Sequence, residues 1–205
     1  TRKESSAASD VYKRQDEVLI PSINFVASAN IFSNLNAKIV FVDCESNDNP
    51  NISVSDLKKK LSKKTKIVVV MHYGGYPCNM DKIMKLKKKY KFKLIEDSCH
   101  AVFSSYKNKM LGTFGDFSAF SFYANKNITS CEGGLIYCKK DKDAKKIRIL
   151  KNHGLSRTSL AHSVNSKSKY DVLQKGFNFR LDDVRSSMLV TQLKRINQNT
   201  VLRHK

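Results

Sequence analysis

The stretch from Ile67 to Asp97, IVVVMHYGGYPCNMDKIMKLKKKYKFKLIED, decides the fold. It begins with an uninterrupted apolar run, Ile67 to Met71, which is typical of a strand buried on both faces. Met80 to Tyr90 then places Ile83, Met84 and Leu86 at helical spacing among lysines, which predicts an amphipathic helix. A second apolar run, Phe92 to Ile95, follows at once. The stretch therefore predicts a β-α-β unit with two parallel strands.

The same alternation of strand and helix continues on both sides of this unit. Upstream, the pattern predicts strands at Val18 to Ile20 and Lys38 to Val42, and helices at Phe25 to Phe32 and Asp56 to Leu61. Downstream, it predicts strands at 103–106, 117–122 and 134–138, helices at 141–151 and 182–198, and a polar loop at 156–170. Repeated units of this kind form a three-layer α/β fold, with a mostly parallel sheet flanked by helices.

The formal net charge of +20 comes mainly from lysine, since lysines outnumber arginines 30 to 8. Nucleic-acid-binding surfaces use arginine forks with interleaved aromatic residues, and the lysine clusters of this chain have neither. Solvated lysine faces are therefore favoured over a specific nucleic-acid site, although binding to polyanions at low salt is expected. A non-enzymatic nucleic-acid-binding module stays open as an alternative supported by charge alone.

Cysteine spacing and hydropathy indicate the cellular compartment of the protein. The five cysteines form no CxxC pair and no spacing typical of a metal site, so we expect reduced thiols and no bound metal. No apolar run approaches the length of about 20 residues that a membrane helix needs, and no signal-peptide pattern stands at the start. The sequence favours a cytoplasmic protein without a membrane contact.

Residues 1–15 have a different character from the rest of the chain. Ser5 to Gln15, SSAASDVYKRQ, resembles the translation of a common sequencing-library adapter over eleven consecutive residues. We therefore interpret 1–15 as a non-native tail and exclude it from the fold. Residues 16–205 are then expected to be an internal part of a longer reading frame.

Two segments carry residues suited to chemistry. The strand at 92–95 runs directly into Glu96 to His100, and acidic residues that follow a parallel strand lie at the edge where such sheets bind ligands. A second apolar run is followed by Lys126 and then by Gly133 and Gly134, which permit close packing. A lysine in this position could act as an amine nucleophile. The alternatives are a turn or cap aspartate and a solvated lysine.

Eight segments, taken in order, resemble the DegT/StrS-type aminotransferases. These are fold type I pyridoxal-phosphate enzymes that act mostly on nucleotide-linked keto-sugars. The resemblance covers nearly all of 16–205. The segments are Pro21–Phe25, His72–Pro77, Glu96–Ala101, Gly112–Asp116, Ser121–Asn127, Glu132–Gly134, Asn152–Gly154 and Gly176–Arg180.

The resemblance implies a role for each residue that would contact the cofactor. Lys126 would bind pyridoxal phosphate covalently and later move a proton, and Asp97 would pair with the pyridine nitrogen. His100 would contact the cofactor ring or its hydroxyl, Phe25 would stack on the ring, and Ser121 would bind the phosphate. Structural alternatives stay open: Phe25 as a core residue, Ser121 as a strand-edge hydroxyl bonded to backbone, and His100 as a satisfied structural histidine.

Further residues of the resemblance point to a partner and a substrate. Asn178 matches a position that reaches the phosphate in the neighbouring subunit, which implies a homodimer. His153 and Arg180 match positions that could contact substrate, although Asn178 and Arg180 could also be ordinary cap and surface residues. Some relatives have histidine in place of the lysine and dehydrate sugars, so Lys126 favours transamination.

The implied function is transamination of a nucleotide-linked keto-sugar, with glutamate or glutamine as donor, in amino-sugar or surface-polysaccharide biosynthesis. Another reaction of the same fold, desulfuration or side-chain cleavage, is a second hypothesis. The family also has an N-terminal segment that cradles the cofactor phosphate and a smaller C-terminal domain, neither of which matches this sequence. Residues 16–205 are therefore expected to form an incomplete large domain that alone binds cofactor poorly and is inactive.

Overall fold

A computed structural model describes residues 16–156 and 171–203 of the chain. The tail at 1–15 and the predicted loop at 156–170, except Ser156, lie outside the described residues. The strands are β1 (Glu17–Pro21), β2 (Lys38–Val42), β3 (Cys44–Ser46), β4 (Asn49–Ile52), β5 (Thr65–Met71), β6 (Lys93–Asp97), β7 (Ser105–Tyr106), β8 (Lys109–Met110), β9 (Phe117–Ser121) and β10 (Gly134–Cys138). The helices are α1 (Ala27–Asn34), α2 (Val54–Lys60), α3 (Met80–Tyr90), α4 (Asp141–Leu150), α5 (Asp183–Lys194) and α6 (Ile196–Arg203).

Six of these strands form the central sheet, in the order β10-β9-β6-β5-β1-β2. The pairs β1–β2, β1–β5, β5–β6 and β6–β9 are parallel, and β9–β10 is antiparallel. The β5–β6 register aligns Val68 with Leu94 and Met71 with Asp97, so the two strands end together. The prediction of a mostly parallel sheet flanked by helices is confirmed.

The apolar run of β5 supplies both faces of the sheet, because successive side chains of a strand point to opposite sides. Val68 and Val70 belong to a core cluster that includes Leu57 of α2 and Ile83 of α3. Ile67 and Val69 instead pack with Phe32 of α1. Burial on both faces explains why this strand is continuously apolar rather than alternating.

Local signals set several helix boundaries. Ser53 accepts a hydrogen bond from the backbone N–H of Asp56 and caps the start of α2. Asn79 caps α3 in the same way, and α3 ends at Tyr90, which Lys91 follows in the left-handed backbone conformation. None of the described helices combines the length and the apolarity that crossing a bilayer requires.

Three features differ from the sequence-based expectations. The short hairpin of β3 and β4 was not predicted, because its residues carry no alternating apolar pattern. The predicted helix at 182–198 is two helices, α5 and α6, which are separated at Arg195 by non-helical backbone. The antiparallel pairing of β10 with β9 could not be predicted either, because the apolar pattern of a strand does not show whether it runs parallel or antiparallel to its neighbour.

Candidate functional site

The carboxyl ends of β6 and β9 are neighbours at one edge of the sheet. Asp97 is the last residue of β6 and is aligned with Ala119 of β9, which ends two residues later at Ser121. The chain then turns, with the Lys126 N–H donating to the carbonyl of Tyr123 at 3.0 Å. Asp97 and Lys126 are both half-buried. The parallel sheet thus places the two residues with the strongest predicted roles at the same edge.

Backbone donors fix Asp97 and the residues after it. An Asp97 Oδ1 accepts the N–H of Cys99 at 3.1 Å, and the Asp97 carbonyl accepts the N–H of His72 at 3.1 Å. His100 Nδ1 accepts the N–H of Gly74 at 3.3 Å, and its ring meets Tyr73 edge-on with centroids 5.9 Å apart. His100 is therefore tied to the 3-10 turn that follows β5.

Electrostatic effects link four residues into one cluster. Burial lowers the pKa of His100, the positive charge of Lys126 lowers it further, and Asp97 acts in the opposite direction. Burial raises the pKa of the Cys99 thiol to about 12, the negative charge of Asp97 adds to this effect, and Lys126 opposes it. The structure therefore brings Asp97, Cys99, His100 and Lys126 together, as the sequence predicted for three of them.

Phe25 and Ser121 lie at carboxyl ends of strands in the same sheet. Phe25 follows β1 and is 72% exposed, so the alternative that it is a core residue is wrong. Ser121 Oγ accepts the N–H of Tyr123 at 3.2 Å, which is the backbone-bonded arrangement given as an alternative. Because the hydroxyl is the acceptor in that bond, its own proton can be donated to a second partner.

His153, Asn178 and Arg180 form a second group. The N–H of His153 donates to the carbonyl of Phe177 at 2.8 Å, and Arg180 Nε donates to Asn178 Oδ1 at 3.0 Å. Arg180 Nη1 also donates to the buried Asn152 Oδ1 at 3.3 Å. Within the part of the chain that the structure describes, none of the three exposed residues hydrogen-bonds to Lys126 or Asp97.

A cavity of about 1200 Å³ lies apart from the charged cluster, beside β9, β10, α4 and α5. Its walls are mainly apolar, and Asn178 and Arg180 contribute to them. Asp97, His100 and Lys126 do not line this cavity. We therefore assign the chemistry to the carboxyl edge of the sheet rather than to this cavity.

Three buried polar residues make contacts that the sequence did not predict, and one of them, Glu96, was expected at the ligand-binding edge but lies buried within β6. Asn51 accepts the N–H of Tyr73 at 2.9 Å and donates to the carbonyl of Tyr76 at 3.2 Å, so it holds both ends of the turn near His100. Glu96 and His72 form a pair with no exposed side-chain surface. A polar residue inside or beside an apolar strand is the one signal that could have indicated the pair.

The edge of the sheet offers a set of groups with complementary chemistry. Lys126 supplies an amine that can react with a carbonyl, and Asp97 supplies a carboxylate that can pair with a protonated ring nitrogen. The exposed ring of Phe25 offers a flat apolar surface, and the Ser121 hydroxyl offers a donor to an anion. This set suits a flat, anionic ligand that carries an aldehyde.

The model of the DegT/DnrJ/EryC1/StrS aminotransferase family matches residues 6–205. The spore coat polysaccharide biosynthesis protein SpsC of Bacillus subtilis is 36% identical over 183 residues, covering 89% of this chain and 47% of that protein. GDP-perosamine synthase of Escherichia coli O157:H7 is 35% identical over 179 residues, covering 87% of this chain and 46% of that protein. The chain thus spans about half the length of the curated relatives it matches.

Solved structures agree with this similarity. The Helicobacter pylori protein PseC, an aminotransferase involved in the biosynthesis of pseudoaminic acid, matches with a TM-score of 0.81 and 31% identity. The match covers 95% of this chain and 48% of that chain. Solved structures of the same fold include PLP and PMP forms, that is, forms with pyridoxal phosphate and with pyridoxamine phosphate.

The raised pKa of Cys99 predicts slow alkylation of this thiol. At pH 8 a thiol with a pKa of about 12 is ionised to only about one part in 10⁴, and the thiolate is the reactive form. We expect iodoacetamide to modify the exposed Cys131 well before Cys99, as measured by peptide mass spectrometry over time. In 8 M urea the two should react at similar rates. Equal alkylation rates of the two thiols in the native protein would contradict the raised pKa of Cys99.

Proposed function

Because the chain belongs to the DegT/DnrJ/EryC1/StrS aminotransferase family, we propose that it carries the main cofactor-binding part of a pyridoxal-phosphate-dependent sugar aminotransferase. The family is pyridoxal-phosphate-dependent. The observation that carries the proposal is the cluster of Lys126, Asp97 and His100 at the carboxyl edge of the sheet. A reactive amine, a carboxylate and an imidazole meet there beside the ends of two parallel strands.

The groups at this edge fit pyridoxal phosphate by their chemistry. Lys126 would hold the cofactor through its aldehyde, and Asp97 would pair with the ring nitrogen. Phe25 would stack on the ring, His100 would contact the ring or its hydroxyl, and the Ser121 hydroxyl would donate to the phosphate. When bound, the cofactor supplies an electron sink for the substrate carbon that gains or loses an amino group.

The residues of the chain would perform the proton transfers and the positioning. Lys126 Nζ, once free, would take a proton from one carbon and return it to the other as a general base and acid. Asp97 would hold a proton on the ring nitrogen through its negative charge. His100 Nδ1 accepts the Gly74 N–H, so its other ring nitrogen, Nε2, would be the one that contacts the cofactor. The lowered pKa of His100 favours a neutral imidazole there at neutral pH.

We propose that the substrate is a nucleotide-linked keto-sugar and that glutamate or glutamine is the amino donor. The names of the relatives support this class: one makes GDP-perosamine, and one acts in pseudoaminic acid biosynthesis. His153 and Arg180 are the candidates for substrate contact, because both are exposed and Arg180 carries a fixed positive charge. A role in surface-polysaccharide biosynthesis agrees with the spore coat relative. The cytoplasmic location stays a prediction.

The alternatives have weaker support. Desulfuration and side-chain cleavage use the same cofactor, but the relatives above are named for sugar and polysaccharide biosynthesis. A nucleic-acid-binding module has only the lysine charge in its favour. Within the described residues, several of these lysines pair with carboxylates instead, for example Lys60 with Asp56 at 2.7 Å and Lys87 with Asp116 at 2.9 Å.

Borohydride reduction of the complete protein with pyridoxal phosphate tests the attachment point. We expect the pyridoxyl group on Lys126 alone, as mapped by peptide mass spectrometry. Lys126→Ala should abolish the label and reduce turnover of a nucleotide-linked keto-sugar by about 10³-fold or more. The exposed Lys139 provides the matched control, since Lys139→Ala should change neither. A label on another lysine would sink the mechanism.

We also propose that residues 1–15 are adapter-derived and that 16–205 is part of a longer protein with a further N-terminal segment and a smaller C-terminal domain. The adapter-like string Ser5–Gln15 supports the first point, and the half-length coverage of relatives supports the second. The family match begins at residue 6, so the boundary at 15 depends on that string alone. Sequencing of the genomic locus by a method without that adapter should yield a different codon series before Asp16. An identical series in the genome would refute the proposal.

We propose a homodimer in which Asn178 contributes to the partner's cofactor site. Asn178 lies between Phe177 and Phe179, whose stacked rings are 51% and 69% exposed, and exposed apolar groups of this size mark interfaces. When inactive Lys126→Ala protein is mixed with impaired Asn178→Ala protein, each mixed dimer should have about half of the wild-type activity, because one of its two sites would be complete. Failure of the mixture to gain activity, with dimers present by sedimentation, would contradict the shared site.

A further inference from the structure

Glu96 and His72 form a buried polar pair that none of the roles above uses. Both side chains have no exposed surface, and His72 Nε2 lies 3.1 Å from Glu96 Oε2. A buried carboxylate is costly unless its oxygens are hydrogen-bonded. The surroundings of Glu96 therefore show what holds it in place.

Three backbone N–H groups of one loop point at the Glu96 carboxylate. Oε1 accepts from Phe114 at 2.8 Å and from Gly115 at 2.6 Å, and Oε2 accepts from Gly112 at 2.8 Å. With His72, each carboxylate oxygen has two donors. Burial raises the pKa of Glu96, but the bonds from His72, Gly115 and Gly112 together outweigh burial and lower it, so the carboxylate is ionised at neutral pH.

The ring of His72 donates to Glu96 as a neutral group. Its Nδ1 accepts the backbone N–H of Cys78 at 3.2 Å, so the ring proton lies on Nε2 and points to the carboxylate. The pair thereby joins three segments: the end of β5, the end of β6 and the loop before β9. The first two segments end at the site.

The two glycines of the loop are required by its close approach. Gly112 has φ of +85°, and a Cβ there would lie 2.3 Å from the Phe120 ring. A Cβ on Gly115 would lie 2.7 Å from the Leu94 carbonyl oxygen. Only glycine allows both N–H groups to reach the carboxylate. The segment GTFGD at 112–116 is therefore a binding loop for a side chain of the protein itself.

The buried carboxylate is next to the residues proposed to hold the cofactor. Glu96 directly precedes Asp97, and the His72 N–H donates to the Asp97 carbonyl. The His72 carbonyl accepts the N–H of Gly75, and the N–H of Gly74 donates to His100 Nδ1. A shift of Glu96 or His72 would therefore move both Asp97 and His100.

We propose that Glu96 is a positioning residue for the cofactor site, which holds Asp97 and His100 at fixed places through its bonds to His72 and to the loop at 112–115. The proposal rests on the proposed function, since it assigns Asp97 and His100 to the cofactor. A residue with a purely structural role would stabilise the fold without tuning the bound cofactor.

Glu96→Gln tests the proposal because it keeps the volume of the side chain but replaces one acceptor oxygen with an NH₂ group. That group must face two donors, either Phe114 and Gly115 or Gly112 and His72. Glu17→Gln is the matched control. Glu17 is also a buried carboxylate that accepts hydrogen bonds, from Ser62 Oγ at 2.6 Å and Lys38 Nζ at 3.0 Å, but it lies at the amino end of β1, away from the site.

The measurements are the unfolding midpoint in urea, the dissociation constant for pyridoxal phosphate, and the absorbance of the bound cofactor as a function of pH, all in the complete protein. We expect Glu96→Gln to weaken cofactor binding by about tenfold or more and to shift the absorbance midpoint by about half a pH unit or more. Glu17→Gln should lower the unfolding midpoint while leaving both cofactor measurements unchanged.

Three results would overturn the proposal. Wild-type cofactor binding and absorbance in Glu96→Gln would do so, as would equal cofactor effects in both variants at equal loss of stability. If Glu96→Gln does not fold, His72→Gln removes a smaller part of the network, and it should weaken binding by about threefold with a midpoint shift of the same sign. Unchanged behaviour of that variant would likewise refute the role. Failure of the proposed function would be seen separately, as no cofactor bound by the wild-type protein.

Discussion

The carboxylate of Glu96 is buried in the centre of the protein, where an ionised group is costly unless donors surround it. The chain meets this requirement with four hydrogen bonds, three of them from backbone N–H groups of one loop. Backbone donors cannot rotate away as side chains can, so the loop conformation and the position of the carboxylate fix each other. The loop at 112–115 is therefore held in one fixed arrangement against the sheet.

The fixed position of Glu96 also fixes the next residue of β6, because side chains alternate along the strand. Successive residues point to opposite sides, so the strand that buries Glu96 must turn Asp97 the other way. The parallel register then places Asp97 beside the end of β9, from which the chain turns to Lys126. A residue fixed by backbone geometry needs few side-chain contacts of its own, and the bond of Asp97 Oδ1 to the Cys99 N–H agrees with this.

Much of the fold could be predicted from the sequence, because strands such as β5 and helices such as α3 carry strong periodic patterns. The positions of Asp97 and Lys126 at one edge follow from the rule that parallel strands end together. The roles of Glu96 and Asn51 could not be predicted, since their partners are backbone groups distant in sequence. The exposure of Phe25 also depends on tertiary structure, because a phenylalanine after a strand is buried or exposed according to what packs on it.

The charged and the apolar parts of the molecular surface lie on different helices. Helix α3 has Met80 and Ile83 buried and five lysines on its remaining faces, as expected for a helix between core and solvent.

Helix α5 differs, since Val184 is 75% exposed and Val190 is 53% exposed, while Leu189 alone is buried within it. Several exposed apolar side chains close together are typical of a surface that binds another surface. Phe25 at the carboxyl edge of the sheet is also exposed, and an aromatic ring open to solvent is suited to stack on a flat ligand. The lysine faces would keep identical chains apart through like charge, which leaves the apolar region around α5 as the surface on which two copies could meet.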